Sequence, residues 1–259
     1  MPNNAESESE LVLLDLVDGV ATVTLNDPDR RNVFTMEMSA QVESFLDDLE
    51  ANPEARAIVF TGAGKGFSSG GHLDELVANN DHDGLRRIYA GFLRVAHSPL
   101  PTIAAVNGAA VGAGMNFALA CDVIVAGESA KFDSRFLQIG IGPGGGHTWR
   151  LRNITDLQTA KAMVLFGEVL RGPRAAEVGL AWKCVPDEEL LASAQAMAAV
   201  AAAAPRELVV RTKQTLIGTQ LVDTSEASVD HEIDTQVWSM QQPAFIEMVE
   251  GLKKRMKKG

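Results

Sequence analysis

The sequence predicts an α/β protein whose C-terminal part is entirely helical, and three observations lead to this fold class. Strand-like and helix-like segments alternate as far as about residue 185. From Asp187 onward the apolar periodicity is helical throughout. Glycines gather in three clusters, at 62–71, 108–114 and 140–146, where the backbone rather than side chains forms the surface. We therefore divide the chain into an acidic N-terminus expected to be flexible (1–10), a core (11–199) and a helical segment (200–259).

The first elements are a hairpin and a helix. Leu11–Leu16 and Gly19–Leu25 alternate between apolar and polar residues, which is typical of paired strands, and Val17-Asp18 is the predicted turn. Thr35 is a suitable N-cap for the helix that follows, and Asn52-Pro53 ends it. One face of that helix carries an apolar stripe, formed by Met38, Val42, Phe45, Leu46 and Leu49.

The next segments continue the alternation of strands and helices. Ala57–Thr61 and Thr102–Val106 read as buried strands, and a helix ending at about His97 lies between them. The predicted elements after residue 106 are a glycine turn entering a helix (Gly108–Ala120), a strand (Val123–Ala126), two helices (Thr155–Phe166 and Pro173–Val178) and four C-terminal helices (Asp187–Ala204, Arg206–Ile217, Thr224–Met240 and Pro243–Lys258).

Composition excludes several classes of protein. The 259 residues include 23 basic and 34 acidic side chains, a net charge of −11 that repels nucleic-acid phosphates. The longest apolar run ends at Pro205 and contains polar residues, so we expect a helix of a soluble protein and no membrane span. The N-terminus lacks a signal-peptide pattern, and Cys121 and Cys184 fit reduced thiols, which favours a cytoplasmic protein.

Generic motifs give weaker signals. Gly140-Ile-Gly-Pro-Gly-Gly145 matches G-x-G-x-x-G but lacks the strand before it and the acidic residue after it that a dinucleotide site needs. Gly66-Phe-Ser68-Ser-Gly70 matches the nucleophile elbow of a serine hydrolase, with Asp133 and His147, or a later Asp and His231, as candidate partners. The five histidines are too scattered for a zinc site, so we expect no metal.

Two segments that each follow a predicted strand are far more specific. They are Phe67-Ser-Ser-Gly-Gly-His-Leu-Asp-Glu-Leu76 and Ala105-Val-Asn-Gly-Ala-Ala-Val-Gly-Ala-Gly-Met-Asn-Phe-Ala-Leu-Ala-Cys-Asp122. Together the two segments resemble the crotonase (enoyl-CoA hydratase/isomerase) family. The resemblance extends, in order and spacing, to Asp27-Pro-Asp-Arg-Arg-Asn-Val33, Ala130-Lys-Phe132, Gly140-Ile-Gly-Pro-Gly-Gly-Gly146 and Gly179-Leu-Ala-Trp-Lys-Cys-Val185.

The resemblance implies a fold, a substrate class and an assembly. The fold is a ClpP-like spiral of stacked ββα units, and the C-terminal helices help to build a homotrimer or a hexamer made of two trimers. The substrate is an acyl-CoA thioester of fatty-acid or related acyl-CoA metabolism. No separate cofactor is expected, since coenzyme A is part of the substrate.

The resemblance also implies the residues of the site. Carried over by position, the backbone N–H groups of Ser69 and Ala113 form an oxyanion hole, which stabilises negative charge on the thioester oxygen. The helix that begins near Gly112 adds its dipole. The residues expected to contact the coenzyme A thioester are Arg30, Arg31, Val33, Gly70, Gly71, His72, Leu73 and Gly112.

Two departures from the family pattern concern the chemistry. Asn116 and Phe136 occupy the positions of the two glutamates that hydratases of the family use, so we expect ordinary hydration to be crippled. Asp133 and His147 are the remaining candidates for base and acid, with a carboxylate tuning the histidine near neutral pH. In the alternative, Asp133 pairs with Arg135 or a backbone amide and His147 caps a helix.

The sequence leaves three kinds of activity open. One is an acyl-CoA isomerase, or a hydrolase of a C–C or thioester bond, that uses Asp133 and His147. Another is an acyl-CoA-binding protein with little turnover. The third is the Ser68 hydrolase. The basic C-terminal residues also have two interpretations, since Lys253, Lys254 and Lys257 either complement a helix dipole or reach a coenzyme A phosphate.

Overall fold

A computed structural model describes residues 10–256, so most of the acidic N-terminus and the basic Lys257 and Lys258 lie outside the described residues. Its ten strands are β1 (Val12–Val17), β2 (Val20–Leu25), β3 (Ala57–Gly62), β4 (Gly66–Ser68), β5 (Thr102–Val106), β6 (Ala109–Val111), β7 (Val123–Gly127), β8 (Lys131–Asp133), β9 (Leu170–Arg171) and β10 (Lys183–Val185). Its eleven α-helices are α1 (Met36–Ala51), α2 (Leu73–Ala78), α3 (His82–Ala96), α4 (Ala113–Ala120), α5 (His147–Ile154), α6 (Leu157–Phe166), α7 (Gly172–Glu177), α8 (Leu190–Ala202), α9 (Arg206–Thr219), α10 (Ser225–Met240) and α11 (Pro243–Met256).

The strands form two sheets built from a repeated unit. A six-stranded sheet has the order β1-β2-β3-β5-β7-β10, and a four-stranded sheet has the order β4-β6-β8-β9. Three successive units place one strand in the larger sheet, the next strand in the smaller sheet and then a helix: β3-β4-α2, β5-β6-α4 and β7-β8-α5. The expected stacking of ββα units is therefore confirmed, and the smaller sheet aligns the ends of β4, β6 and β8 next to one another.

The opening hairpin differs by one residue from its prediction. Val17 pairs with Val20 in the antiparallel β1–β2 ladder, so the turn consists of Asp18 and Gly19 rather than Val17 and Asp18. Both turn residues have positive φ, 49° and 82°. Turns of this kind match the right-handed twist of a hairpin, and Asp-Gly is one of their preferred sequences.

Helix α1 begins and ends as predicted. The Thr35 hydroxyl accepts the Met38 N–H at 3.1 Å, and Asn52 is the C-terminal cap. Of the predicted apolar stripe, Met38, Val42, Leu46 and Leu49 are buried and Phe45 is partly buried. The stripe thus attaches α1 to the main core.

Four phenylalanines fix helix α4 in that core. The ring of Phe117 on α4 meets the rings of Phe34, Phe60 and Phe67 edge-on, with centroids 5.6, 5.1 and 5.9 Å apart. Edge-to-face pairs at these distances add to the free energy gained by burying the rings. The orientation of α4, which matters below, is therefore set by core packing.

The remaining differences from the prediction concern short elements. The strands of the smaller sheet have two or three residues and were not expected as strands. Helix α5, which begins at His147, has no bounds in the sequence prediction. Helix α6 begins after Asp156, whose carboxylate accepts the Thr159 N–H at 2.9 Å. The predicted boundary at residue 200 falls inside α8, where Ala198 and Ala202 are buried.

Helices α8, α9 and α10 end within two residues of their predicted ends, and the predicted end of α11, Lys258, lies outside the described residues. Helices α9, α10 and α11 contain no buried residue within residues 10–256. None of the helices in this range has the length and apolar character of a membrane span. Cys121 and Cys184 are free thiols.

Candidate active site

A cavity of about 940 Å³ opens where the smaller sheet ends. Eleven of the fourteen predicted site residues line it: Arg30, Val33, Ser69, Gly70, Gly71, His72, Leu73, Gly112, Ala113, Asn116 and Phe136. The other three, Arg31, Asp133 and His147, are not in its wall. The first two glycine clusters therefore meet at one site, as the resemblance implies.

Two glycine turns bring the ends of β4 and β6 close together. Gly70 has a φ of 105°, and a Cβ at this position would lie 2.8 Å from the carbonyl oxygen of Val111. A Cβ on Gly71 would lie 3.6 Å from the Cβ of Ala113. Because no side chain separates the two turns, their backbones face the same part of the cavity.

The backbone donors differ from the prediction at one of the two positions. The N–H of Ser69 donates to the carbonyl oxygen of Arg31 at 2.9 Å, so the prediction that Ser69 offers a free N–H is wrong. Phe34 forms a parallel bridge with Gly71, and its hydrogen bonds go to the two residues that flank Gly71. The Phe34 N–H donates to the carbonyl oxygen of Gly70, and the His72 N–H donates to the carbonyl oxygen of Phe34. In such a parallel bridge the N–H of Gly71 itself points away from Phe34.

Ala113, the second predicted donor, begins helix α4. The first N–H groups of a helix have no acceptor within the helix. Gly112 precedes it with a φ of 51°, which favours glycine. The two N–H groups that remain for a ligand are thus those of Gly71 and Ala113.

Ser68 belongs to the turn rather than to the cavity wall. Its side chain is buried, and its hydroxyl oxygen accepts the Gly70 N–H at 3.3 Å. A nucleophile elbow instead exposes its hydroxyl above the sheet. The hypothesis of a Ser68 nucleophile gains no support from this position.

His147 lies in a buried polar network that the sequence did not reveal. Its Nδ1 is 2.7 Å from the Oδ1 of Asn116, and its Nε2 is 2.9 Å from the hydroxyl of Ser134. The amide nitrogen of Asn116 donates to the carbonyl oxygen of Gly144 at 3.0 Å, which turns Oδ1 toward the imidazole. Since an amide oxygen only accepts, Nδ1 carries the proton and Nε2 accepts from Ser134.

The environment of His147 keeps the imidazole neutral. Burial, and then the positive charge of Arg150, lower the pKa of His147 to about 4. The expected tuning by a neighbouring carboxylate is therefore wrong. Arg150 is held beside the site by a bond from its Nη1 to the carbonyl oxygen of Gly145 at 2.7 Å.

Asp133 has a different partner from the one expected for a catalytic pair. Its carboxylate is almost fully buried and forms an ion pair with Arg135, with Nη2 and Oδ2 2.5 Å apart. Both nitrogens of His147 are occupied by Ser134 and Asn116 instead. The structure thus favours the alternative in which Asp133 pairs with Arg135.

The two arginines expected near coenzyme A occupy different positions. Arg30 lines the cavity and forms an ion pair with Asp27 at 2.7 Å. Arg31 has a φ of 57°, and its side chain is outside the cavity wall. The neighbouring Asn32 is buried, and its amide donates to the carbonyl oxygens of Ala63 and Gly66, which joins this segment to the turn before β4.

Sequence reasoning missed several residues of the cavity wall. Ser134 directly follows Asp133, and its place next to a predicted site residue was the available signal. Tyr89 is the only tyrosine of the chain, and partial burial raises its pKa. Ile139 and Ile141 add apolar surface. The wall thus combines a mostly apolar lining with a few polar groups, as is typical of small-molecule sites.

Comparisons with known proteins show the family of this chain. The model of the family described as "Enoyl-CoA hydratase/isomerase" matches residues 15–257. A Mycobacterium tuberculosis protein named "Probable enoyl-CoA hydratase" is 44% identical over 242 residues, covering 90% of this chain and 94% of its own length. The 1,2-epoxyphenylacetyl-CoA isomerase of Escherichia coli is 36% identical over 236 residues, covering 88% and 89%.

A solved structure extends the similarity to the fold. The crystal structure of an enoyl-CoA hydratase from Polaromonas superposes with a TM-score of 0.86 at 28% identity, and the match covers 94% of this chain and 97% of that one. The fold class predicted from the sequence is confirmed, C-terminal helices included. The chain therefore belongs to the enoyl-CoA hydratase/isomerase family of the crotonase superfamily.

Proposed function

We propose that this enzyme polarises the carbonyl group of an acyl-CoA thioester between the N–H groups of Gly71 and Ala113. The observation that carries the proposal is the meeting of two glycine turns, with a Cβ on Gly71 only 3.6 Å from that of Ala113. Two fixed donors that face one point stabilise an oxyanion or enolate more strongly than water does. The positive end of the α4 dipole acts in the same direction.

Hydration of simple enoyl thioesters is expected to be slow. The family resemblance implies a glutamate at each of positions 116 and 136, where this chain has Asn116 and Phe136. An amide does not exchange protons at neutral pH, and a phenyl ring only packs. General acid and base groups each contribute about 10²- to 10⁴-fold, so crotonyl-CoA should be a poor substrate for hydration.

Isomerisation of an acyl-CoA is a second candidate function. A relative that is 36% identical across 88% of this chain is named 1,2-epoxyphenylacetyl-CoA isomerase. Isomerases and hydratases both need a polarised thioester carbonyl, which the same backbone donors would provide.

A chromophoric thioester tests the role of the two donors. The absorption of 4-dimethylaminocinnamoyl-CoA moves to longer wavelength when its carbonyl is polarised, so the bound compound should show this shift. Ala113→Pro removes one N–H at the first position of a helix, where proline is tolerated, and should abolish most of the shift. Ala113→Ser keeps the N–H and is the matched control.

The outcomes separate the alternatives. An equal shift in Ala113→Pro would refute the role of this N–H. Binding and a shift without conversion of any enoyl-, 3-hydroxy-, β-keto- or branched acyl-CoA would favour an acyl-CoA-binding protein with little turnover.

We also propose that Arg30 contacts the coenzyme A phosphates or adenosine. Of Arg30 and Arg31, only Arg30 lines the cavity. A protein with a net negative charge needs a local cation to hold the anionic coenzyme A. Lys253 and Lys254 lie in the last turn of α11, where they either complement the helix dipole or reach a coenzyme A phosphate.

We further propose a cytoplasmic homotrimer, or a hexamer made of two trimers. Helices α9 to α11 have no buried residue within the described part of the chain, yet they carry many apolar side chains. Large exposed ones include Leu216, Ile217, Ile233, Ile246 and Leu252. Large apolar side chains exposed in this number favour a surface that another subunit covers. Light scattering after gel filtration measures the mass, and a monomer at micromolar concentration would refute the proposal.

A further inference from the structure

We propose that Ser134, His147 and Asn116 form a catalytic triad that hydrolyses the acyl-CoA thioester through an acyl-enzyme on Ser134. The inference rests on the proposed function, because the thioester oxygen has to lie between Gly71 and Ala113 for the triad to act. In these roles Ser134 is the nucleophile, His147 the base and Asn116 the residue that orients the base.

The hydrogen bonds run in the direction that such a triad requires. The hydroxyl of Ser134 lies 2.9 Å from Nε2 of His147, and Nδ1 lies 2.7 Å from Oδ1 of Asn116. Because the amide of Asn116 is held by Gly144, its oxygen must face the imidazole, and Nε2 is left as the proton acceptor. A triad is recognised by this geometry and not by sequence order, and asparagine serves as its third member in other enzymes.

Ser134 lies beside the proposed carbonyl site. Strands β6 and β8 are parallel neighbours in which Val111 pairs with Asp133, and the Gly112 N–H donates to the carbonyl oxygen of Asp133 at 2.9 Å. Ser134 comes directly after β8, and Gly112 and Ala113 come directly after β6. A Cβ on Gly112 would lie 4.0 Å from the carbonyl oxygen of Ser134, and both Ser134 and Ala113 line the cavity. A carbonyl whose oxygen binds Ala113 N–H therefore lies next to the strand end that carries Ser134.

The two positions where the family pattern has glutamates both contact the imidazole. Asn116 is bonded to Nδ1, and the ring of Phe136 meets the ring of His147 edge-on with centroids 4.8 Å apart. Phe136 also lines the cavity, whereas His147 lies behind the cavity wall. With a pKa of about 4, the imidazole is neutral at pH 7, so its Nε2 is free of a proton and can accept one. The departures from the family pattern are thus the residues that hold this histidine in place.

The reaction balances with water as the only co-reactant. The Ser134 oxygen attacks the thioester carbon while its proton passes to Nε2 of His147, and the carbonyl oxygen becomes an oxyanion between the two N–H groups. When the C–S bond breaks, the coenzyme A sulfur takes the proton from Nε2 and leaves as a thiol. A water molecule then gives a proton to Nε2 and attacks the Ser134 ester. Release of the carboxylic acid returns that proton to Ser134.

Mass spectrometry and thiol release test the proposal together. Acetyl-, butyryl-, hexanoyl-, octanoyl- and phenylacetyl-CoA are the probes. The wild type should release free thiol and, when quenched during turnover, should carry an acyl group. Trypsin cuts after Lys131 and Arg135, so the label should be found on the peptide Phe132–Arg135, which has a single serine.

Matched variants distinguish the triad from a structural network. Ser134→Ala should abolish the adduct and lower thiol release by at least about 10³-fold. Ser134→Cys should keep an acyl adduct, because a thiol is also a nucleophile, which guards against a variant that merely misfolds. Ser129→Ala, an exposed serine just before β8, should leave both signals unchanged.

The chromophoric thioester separates failure of the triad from failure of the proposed function. If the wild type shifts its absorption but releases no thiol from any probe, or if Ser134→Ala releases thiol as fast as the wild type, the triad is refuted and carbonyl polarisation stands. If the wild type shows no shift, the proposed function fails as well. Retention of the shift in Ser134→Ala together with loss of thiol release supports both.

Discussion

Acidification from pH 7 to pH 5 should destabilise the folded protein through His147. The pKa of this imidazole is about 4 in the folded chain and about 6.5 in an unfolded chain. The unfolded state therefore binds the proton first as the pH falls. The contribution to stability is fully present above pH 6.5 and is lost as the pH falls toward 4.

The size of the effect follows from the two pKa values. Their difference of about 2.5 corresponds to about 3 kcal/mol in total, of which about 2 kcal/mol is lost between pH 7 and pH 5. The groups that face the imidazole are Ser134, Asn116, Phe136 and Arg150. None of them is a carboxylate that would stabilise the protonated form.

Urea unfolding at several pH values measures this contribution. Because acidic residues elsewhere also titrate, the comparison is with His147→Gln, which cannot gain the proton. The free energy of unfolding of the wild type should fall by about 2 kcal/mol more than that of the variant between pH 7 and pH 5. Parallel pH dependences of the two proteins would show that the imidazole is accessible to protonation in the fold, and the argument from its burial would be wrong.

Three further predictions concern the turns, the substrate and the reaction. Gly70→Ala should lower the free energy of unfolding by about 1–3 kcal/mol, because φ is 105° and the new Cβ meets the carbonyl oxygen of Val111. Thermal unfolding measures the loss, and the control is Gly142→Ala, whose new Cβ meets nothing within 4 Å. Equal losses in the two variants would contradict the argument from φ and the Val111 contact. Arg30→Ala should raise KM for acyl-CoA by about tenfold with little change in kcat, whereas Arg31→Ala should change neither; similar kinetics of the two variants would place the phosphates elsewhere. Crotonyl-CoA hydration, followed by loss of absorbance of the enoyl thioester, should be slower than acyl-CoA thiol release; a fast hydration rate would show that another acid and base replace the missing glutamates.

The sequence predicted the structure well where the signal was local. Glycine clusters after two buried strands indicated that two backbone turns meet, and Ala113 lies at the start of a helix as expected. Capping by Thr35 and the stripe on α1 likewise depend on residues within one or two turns. Such features need no knowledge of the rest of the chain.

Errors arose where a contact joins distant parts of the chain. Which N–H faces the cavity at β4 depends on the pairing of Gly71 with Phe34, and no local pattern shows this bridge. The partner of His147 is Asn116, which lies 31 residues away in the chain. The sequence instead favours the nearer Asp133 as the partner of this histidine. The strands of the smaller sheet have at most three residues, which is too short for alternation to be visible.

The packing of Phe117 has a consequence for how this enzyme tolerates mutation. Its ring is held among three others deep in the core, the residue before it in α4 is Asn116, and Ala113 begins the same helix. A shift of α4 by a fraction of an ångström would therefore move the Ala113 N–H and the partner of His147 together. Substitutions such as Phe60→Leu, at a residue that no substrate reaches, should reduce turnover before they reduce the amount of folded protein. Packing among these four rings thus sets the positions of Ala113 and Asn116 relative to the cavity, so a change deep in the core alters the cavity wall.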